Sequence, residues 1–353
     1  MFSIIVPVYN RPDEVADLLR SLEAQTDKGF ETVIVEEGST LPCLEVKEDR
    51  TGMTSLEAEG DGKGALRPIG HDSLRLKYYR KGNEGRSIAR NYGLERAEGD
   101  YFIFVDSDCI LPPEYIANLR KSLTDDYHDC FGGPDAAHES FSDTQKAINF
   151  SMTAFLTTGG IRGGKVSMEK FTPRTFNMGF SRKVYEKVGG FREMFSEDID
   201  MSTRIRNAGF SITLFPEVFV YHKRRVDMKK FWKQVHVFGM SRITLELLYP
   251  GSMKLVHWLP AVFTLGAVGL IIGSFFWKWL LIPLLVYVVA LFVCALVAEK
   301  KLKIALLGVV AAFVQLTGYG TGFIKAYVNK IIFRKGRDVN EEIEIRKGKN
   351  EDM

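Results

Sequence analysis

The sequence predicts an α/β domain on a Rossmann-like, mostly parallel sheet, followed by an α-helical membrane domain. Strand-like and helix-like patterns alternate over residues 1 to about 225. Within that stretch Tyr101 to Asp108, YFIFVDSD, delivers two aspartates at the end of a β-type run, while Leu259 to Val297 is almost wholly apolar.

Ser3 to Val8 is too short and too β-branched for a helix, and it stops at Asn10, Arg11 and Pro12. Pro12 at a first helical position, with Asp13 and Glu14 in the first turn, opens a helix with Val15, Leu18, Leu19 and Leu22 on one face. Thr32 to Val35 is the next strand and runs into Glu36, Glu37, Gly38 and Ser39, where glycine permits a sharp turn. Leu74 to Tyr79 reads as a strand, Arg86 to Ala97 as a helix and Tyr101 to Val105 as a strand. The stretch between Cys43 and Ser73 is charged and glycine-rich without a period, an irregular insertion. Alternation of this kind implies βαβ units in a doubly wound sheet, whose ligand crevice lies at the carboxyl ends of the strands. Tyr9, Asn10, Glu36, Glu37, Asp106 and Asp108 all fall there.

Two carboxylates at a strand end can hold a hard divalent cation against a phosphate; the plain alternative is a pair capping a surface turn. The net charge of +3 is small and the basic residues are scattered, which argues against a nucleic-acid partner. The four cysteines show no paired spacing, so neither a disulfide framework nor a thiolate zinc site is indicated, and a reducing compartment fits. The N-terminus opens directly on a strand, without the charged and apolar regions of a signal peptide, which places the soluble part in the cytosol.

With those residues in hand, the chain resembles a family-2 nucleotide-sugar glycosyltransferase of the GT-A fold over about residues 1 to 240. VPVYN at Val6 to Asn10 resembles the first nucleotide-contacting strand end, and VEEGS at Val35 to Ser39 resembles the family's Val-Asp-Asp-Gly-Ser. NEGRSIARNYG from Asn83 to Gly93 and VDSD from Val105 to Asp108 resemble its Ala-Arg-Asn helix and metal-binding Asp-x-Asp. NMGFSRKVYEKVGGF from Asn177 and SEDIDMSTRIRNAG from Ser196 resemble its acceptor-side segment and Glu-Asp helix start.

The resemblance implies a Mn²⁺ or Mg²⁺ ion on Asp108, with Asp106 on the ribose or the metal and His222 as a further metal or diphosphate ligand. Pro7, Tyr9 and Asn10 would line the nucleotide, Tyr9 packing on the base, and Glu37 would accept from a base N–H where the family usually has aspartate. Arg90 would pair with the diphosphate; a solvated helix-face arginine is the alternative. Asp198 would be the general base for the acceptor hydroxyl, supported by Glu197. Both acids would equally suit the first turn of a helix carrying Ile199, Met201, Ile205 and Ala208 and ended by Gly209, by complementing its dipole. His222 follows a strand-like run, Ile212 to Tyr221, and a structural histidine is the alternative there. Gly132 and Gly133 resemble a turn in the acceptor half, and Gly159 to Lys165 a loop over the sugar.

Leu259 to Phe276 and Leu280 to Val297 are each about long enough to cross a hydrocarbon core, and Trp277, Lys278 and Trp279 form an interfacial turn between them. Ile304 to Ile324 is a third hydrophobic segment diluted by Gln315, Thr317 and glycines. Its sequel holds Lys325, Lys330, Arg334, Lys335 and Arg337, so a full crossing would break the positive-inside bias; the alternative is a re-entrant segment with its tail on the cytosolic face. Lys229 to Leu248 reads as an interfacial amphipathic segment. The expected division is a catalytic domain over 1–225, an interfacial segment over 226–257, membrane helices over 258–325 and a charged tail over 326–353.

The expected function is transfer of one sugar, with inversion, from a nucleotide-sugar donor, UDP-linked by expectation, to a glycan or lipid-linked acceptor at the inner membrane, the catalytic domain being cytoplasmic. A processive polysaccharide synthase is the alternative, but such enzymes carry Gln-x-x-Arg-Trp on a later helix and here Gln234 is followed by VHVFGMSR. A non-catalytic nucleotide-sugar-binding subunit is another, against which intact Asp106, Asp108 and Asp198 speak.

Overall fold

A computed structural model describes residues 1–44, 73–136, 141–159, 171–222 and 227–335. The expectations for the insertion at 45–72, for 160–165 of the glycine loop and for the tail beyond 335 lie outside the described residues. The chain forms two compact units, Met1–Ala136 with Phe171–His222, and Ala137–Lys170 with Lys223–Met353.

In the first unit, β1 (Phe2–Val8), α1 (Pro12–Glu23), β2 (Phe30–Glu37), β3 (Leu76–Lys81), α2 (Arg86–Arg96) and β4 (Tyr101–Val105) follow the expected alternation. β5 (Cys109–Ile110), α3 (Tyr115–Asp125), β6 (Cys130–Gly132) and β7 (Asp135–Ala136) come next. The main sheet has the order β3-β2-β1-β4-β8-β6-β9, parallel except where β8 runs against β4 and β6. The order reverses beside β1, so the crevice for a ligand opens at the carboxyl ends of β1 and β4. Apolar residues alternate across β1, with Ile4, Val6 and Val8 packing on the side of α1 and α3 while Ile5 packs on the side of α2.

Two helices of the second unit intervene in sequence, α4 (Asp143–Thr153) and α5 (Phe155–Thr158). Ser142 starts α4 with a capping box: its Oγ accepts from the Gln145 amide at 3.3 Å and its own amide donates to Gln145 Oε1 at 3.0 Å. The chain then returns to the first unit as β8 (Asn177–Ser181), α6 (Arg182–Val188), α7 (Glu197–Asn207), β9 (Ile212–Leu214) and β10 (Val220–His222). The strand expected over Ile212 to Tyr221 is thus two strands in two sheets. Pro216 has no N–H for a ladder, and Val218 turns back to donate to the Phe215 carbonyl at 3.1 Å. β10 joins β5 and β7 in a small second sheet.

The second unit continues with α8 (Met228–Leu248), α9 (Leu255–Ser274), a 3₁₀ turn (Lys278–Leu281), α10 (Ile282–Glu299) and α11 (Leu302–Tyr327). Residues 141–159, which the sequence reading assigns to the catalytic domain, pack instead with these helices: Ile148 and Met152 of α4 share a core with Phe231, Val235 and Ala311. The segment read as interfacial is α8, with Phe231, Val235, Ile243 and Leu245 buried. The glycines that dilute the third apolar segment leave α11 continuous. A Cβ on Gly318 would meet Val235 and the Trp232 carbonyl, and one on Gly322 would meet the His236 carbonyl, so these residues let α8 and α11 approach backbone to backbone.

Candidate active site

The carboxyl ends of β1 and β2 form one wall. Tyr9 is 52% exposed, free to present its ring to a flat ligand, and Pro7 stays within β1 in register with Val35. Asn10 adopts positive φ (52°), and its Oδ1 accepts the Thr40 amide at 2.9 Å and the Thr40 hydroxyl at 3.1 Å. Its side-chain oxygen is therefore spent on joining β1 to the loop after β2, not on a ligand.

The two glutamates after Val35 point to opposite faces, as successive strand residues must. Glu36 turns inward, accepting from the Tyr78 hydroxyl and from the Cys43 amide at 3.0 Å, with Arg80 Nε at 3.3 Å. Glu37 is 4% exposed, its closest cation is Lys81 at 3.8 Å, and its Oε1 has no hydrogen-bond partner among the described residues. Burial pushes its carboxyl up to about 7. An unsatisfied carboxylate oxygen at a strand end suits a ligand N–H.

At the end of β4, Asp106 Oδ1 accepts from Arg90 Nη2 at 2.9 Å. Arg90 reaches Glu197 Oε1 with its other nitrogen at 3.0 Å, and Arg86 Nη2 donates to Glu197 Oε2 at 2.9 Å. In this structure Arg90, expected at the diphosphate, is turned toward two carboxylates. Its guanidinium is 2% exposed and its fork is filled by two carboxylates, so it ties the Asp106 strand end to the first turn of α7. Arg86, unnamed by the sequence reading, is the more accessible cation, its side chain 56% exposed. Burial works against its charge, but the field of Glu197, Asp106 and Asp198 outweighs it and raises its pKa.

Asp108 meets His222 across the small sheet, where β5 and β10 pair His222 with Cys109. His222 Nε2 lies 3.2 Å from Asp108 Oδ1, and its ring stacks on Phe176 with centroids 4.7 Å apart. Donor atoms of Asp108, Cys109 and His222 lie within 4.8 Å of one another, a spacing that fits one cation. Cys109 is the poor member: burial, then the charges of Asp108 and Asp106, drive its thiol pKa well up, and its Sγ faces the Phe176 carbonyl at 3.6 Å. Asp108 and His222 remain, a carboxylate and an imidazole that suit Mn²⁺ better than Mg²⁺.

Asp198 serves its helix, its Oδ1 accepting the Ile199 amide at 2.8 Å, while Oδ2 lies 3.2 Å from Arg174 Nη1. Its side chain is 15% exposed, so the carboxylate keeps an open edge. Asp200 is the fully structural acid of that turn, buried between Arg192 at 3.2 Å and Arg204 at 2.9 Å. Gly132 ends β6 and leads through Gly133 and Pro134 into β7, inside the sheets.

The family model described as glycosyl transferase family 2 matches residues 3–189, and that described as glycosyl transferase family group 2 matches residues 101–314. An uncharacterized glycosyltransferase of Rickettsia conorii is 36% identical over 106 residues, 30% of this chain and 14% of that protein. Glycosyltransferase GlyA of Streptococcus pneumoniae is 32% identical over 123 residues, 35% of this chain and 15% of that protein. This chain thus matches only a small part of those relatives' length. Glycosyltransferase AglE of Haloferax volcanii is 22% identical over 282 residues, 73% of this chain and 81% of that protein. Among solved structures, mannosyltransferase PcManGT from Pyrobaculum calidifontis, in complex with GDP-Man and Mn²⁺, has a TM-score of 0.52 at 16% identity, covering 93% of this chain and 87% of that one. At that identity the likeness bears on the fold.

Proposed function

Because this chain belongs to glycosyl transferase family 2, we propose that it is a membrane-anchored, inverting glycosyltransferase that moves one sugar from a nucleotide-sugar donor to a glycan or lipid-linked acceptor. The observation that carries the reading is the Arg90 bridge, which draws the Asp106 and Asp108 strand end and the Glu197 and Asp198 helix start to one crevice. In this reading Tyr9 packs on the base, Glu37 accepts its N–H, and Arg86 faces the diphosphate. A divalent cation on Asp108 and His222, beside Asp106, would supply positive charge to the departing diphosphate. Asp198 takes the proton of the acceptor hydroxyl as its oxygen attacks the anomeric carbon opposite the leaving group, which inverts the configuration. Arg174 holds that carboxylate in place, and Glu197, paired with Arg86 and Arg90, orients the turn.

A guanosine donor is the second reading beside a uridine one. Guanine offers a carboxylate two neighbouring N–H groups where uracil offers one, and the neighbour of similar fold holds GDP-Man. Purified protein in detergent, screened against UDP- and GDP-linked sugars with Mn²⁺, Mg²⁺ or EDTA, tests the proposal. Transfer should need a divalent cation and vanish in Asp108→Asn without loss of fold. Full activity in EDTA would remove the metal, and donor binding without transfer or hydrolysis for any sugar would favour the binding subunit.

A further inference from the structure

α9, Lys278–Glu299 and Leu302–Ile332 are all long and apolar enough to cross a membrane. Their surroundings differ. Of the apolar windows, 39% of the α11 stretch is buried in protein, against 17% for α9 and 11% for Lys278–Glu299. α8 covers the C-terminal half of α11, where Val235 faces Gly318, and reaches the turn after it, where Lys330 donates to Thr244, and α4 covers the N-terminal half, where Phe150 faces Gly308.

The directions of the helices carry the argument. Along α10, Tyr287 meets Phe313 and Ala295 meets Gly308, so α10 advances as α11 recedes. Along α9, Phe263 meets Phe313, the Thr264 hydroxyl donates to the Leu316 carbonyl at 3.3 Å, and Trp258 packs on Phe323 and Tyr327, so α9 also advances as α11 recedes. Two helices joined by the short connection at Gly273 and Leu280 cannot lie flush and antiparallel to each other while both oppose one third helix. They splay as two legs, touching through the 3₁₀ turn and the Phe263–Tyr287 pair, with α11 across their feet. At 1.5 Å per residue α11 is about 39 Å long and the legs about 30 and 27 Å, proportions that suit the base of such a frame.

The charges fall accordingly. Lys300, Lys301 and Lys303 are exposed at the foot of α10, and Lys325, Arg334 and Lys335 are exposed at the end of α11 near the foot of α9. The apex carries exposed Trp277 and Trp279. We propose that α9 and α10 are the crossing pair and that α11 lies along one membrane face, both its basic ends on one side against anionic lipid headgroups. This rests on the membrane-anchored reading above. It also removes the conflict between the third apolar segment and the basic tail.

Single cysteines at Lys278, Lys301 and Lys335, in a background with Cys43 and Cys294 replaced by serine, are labelled with a membrane-impermeant maleimide in right-side-out and inverted vesicles. The positions at Lys301 and Lys335 should react in the same vesicle orientation and that at Lys278 in the other. Reaction at Lys335 together with Lys278 and opposite to Lys301 would make α11 a third crossing and overturn the proposal. Reaction at all three positions in one orientation would overturn the crossing pair. Release of the protein by alkaline carbonate without detergent would instead overturn the membrane anchoring beneath it, a separate readout.

Discussion

In the α/β unit charged side chains go inward: Glu36, Arg90, Glu197 and Asp200 are at most 2% exposed, each held by partners of opposite charge. In the helical unit large apolar side chains stay outward: Leu265, Val268, Leu285 and Val289 are more than half exposed, while glycines and alanines fill the interior of α11. The inversion is what the proposed membrane anchoring requires, with two different solvents around the two units. In water a buried ion must be paired because its desolvation is costly, and the pairing rigidifies a site. In lipid an exposed leucine costs nothing, so small residues and close backbones supply the cohesion.

The largest effect should come from breaking a buried pair. Arg90→Met leaves Asp106 without its partner and Glu197 with one, and thermal or denaturant unfolding should show a loss of about 3–5 kcal/mol. A loss under about 1 kcal/mol would mean that water already screens the bridge.

Next is Asp198→Asn, which keeps shape and the Ile199 contact but removes a proton acceptor. Transfer should fall by on the order of 10² or more with donor affinity retained. If Asp198 serves only the helix, the same variant should lose about 0.3–1 kcal/mol of stability at near-normal turnover.

Glu37 gives a smaller, pH-dependent effect. Its carboxyl is raised by burial to about 7, so the folded state holds its proton more tightly than the unfolded state, where about 4.5 applies. The stability it contributes is complete below about 4.5 and is lost as pH rises from there to about 7. Glu37→Gln should flatten the melting temperature across that window, and an unchanged slope would place the group in water.

The smallest change is expected where the helical unit faces outward. Leu265→Ala, at a side chain 63% exposed, should alter unfolding in detergent by less than about 0.5 kcal/mol. A loss typical of core leucines, about 2–5 kcal/mol, would mean that Leu265 packs on protein.

How much of this was legible varies with the range of the interaction. The strand ends at Asp106 and Asp108 and the helix starts at Pro12 and Glu197 are local patterns, and the structure has them where the sequence puts them. The internal partners of Arg90 have a partial sequence signal: Ser87, Arg90 and Leu94 share the buried face of α2 at helical spacing, and an arginine there needs internal partners. Its partner Glu197 is remote in sequence and no local pattern names it. The same holds for α4, whose Ile148 and Met152 mark an apolar face without showing that α11 covers it. Ile212 to Tyr221 looked like one strand because its composition is right; Pro216 was the warning.

The pairing of β5 with β10 also has a consequence in time. His222 reaches Asp108 only when the last strand of the α/β unit closes on a segment made far earlier, and loop closure over such a separation is entropically costly and slow. The Asp108–His222 contact therefore needs nearly the whole of the α/β unit's chain. A chain ending before Val220 contains β1 to β4, Tyr9 and Asp106, yet lacks the histidine. The chain reaches that histidine shortly before its long apolar helices.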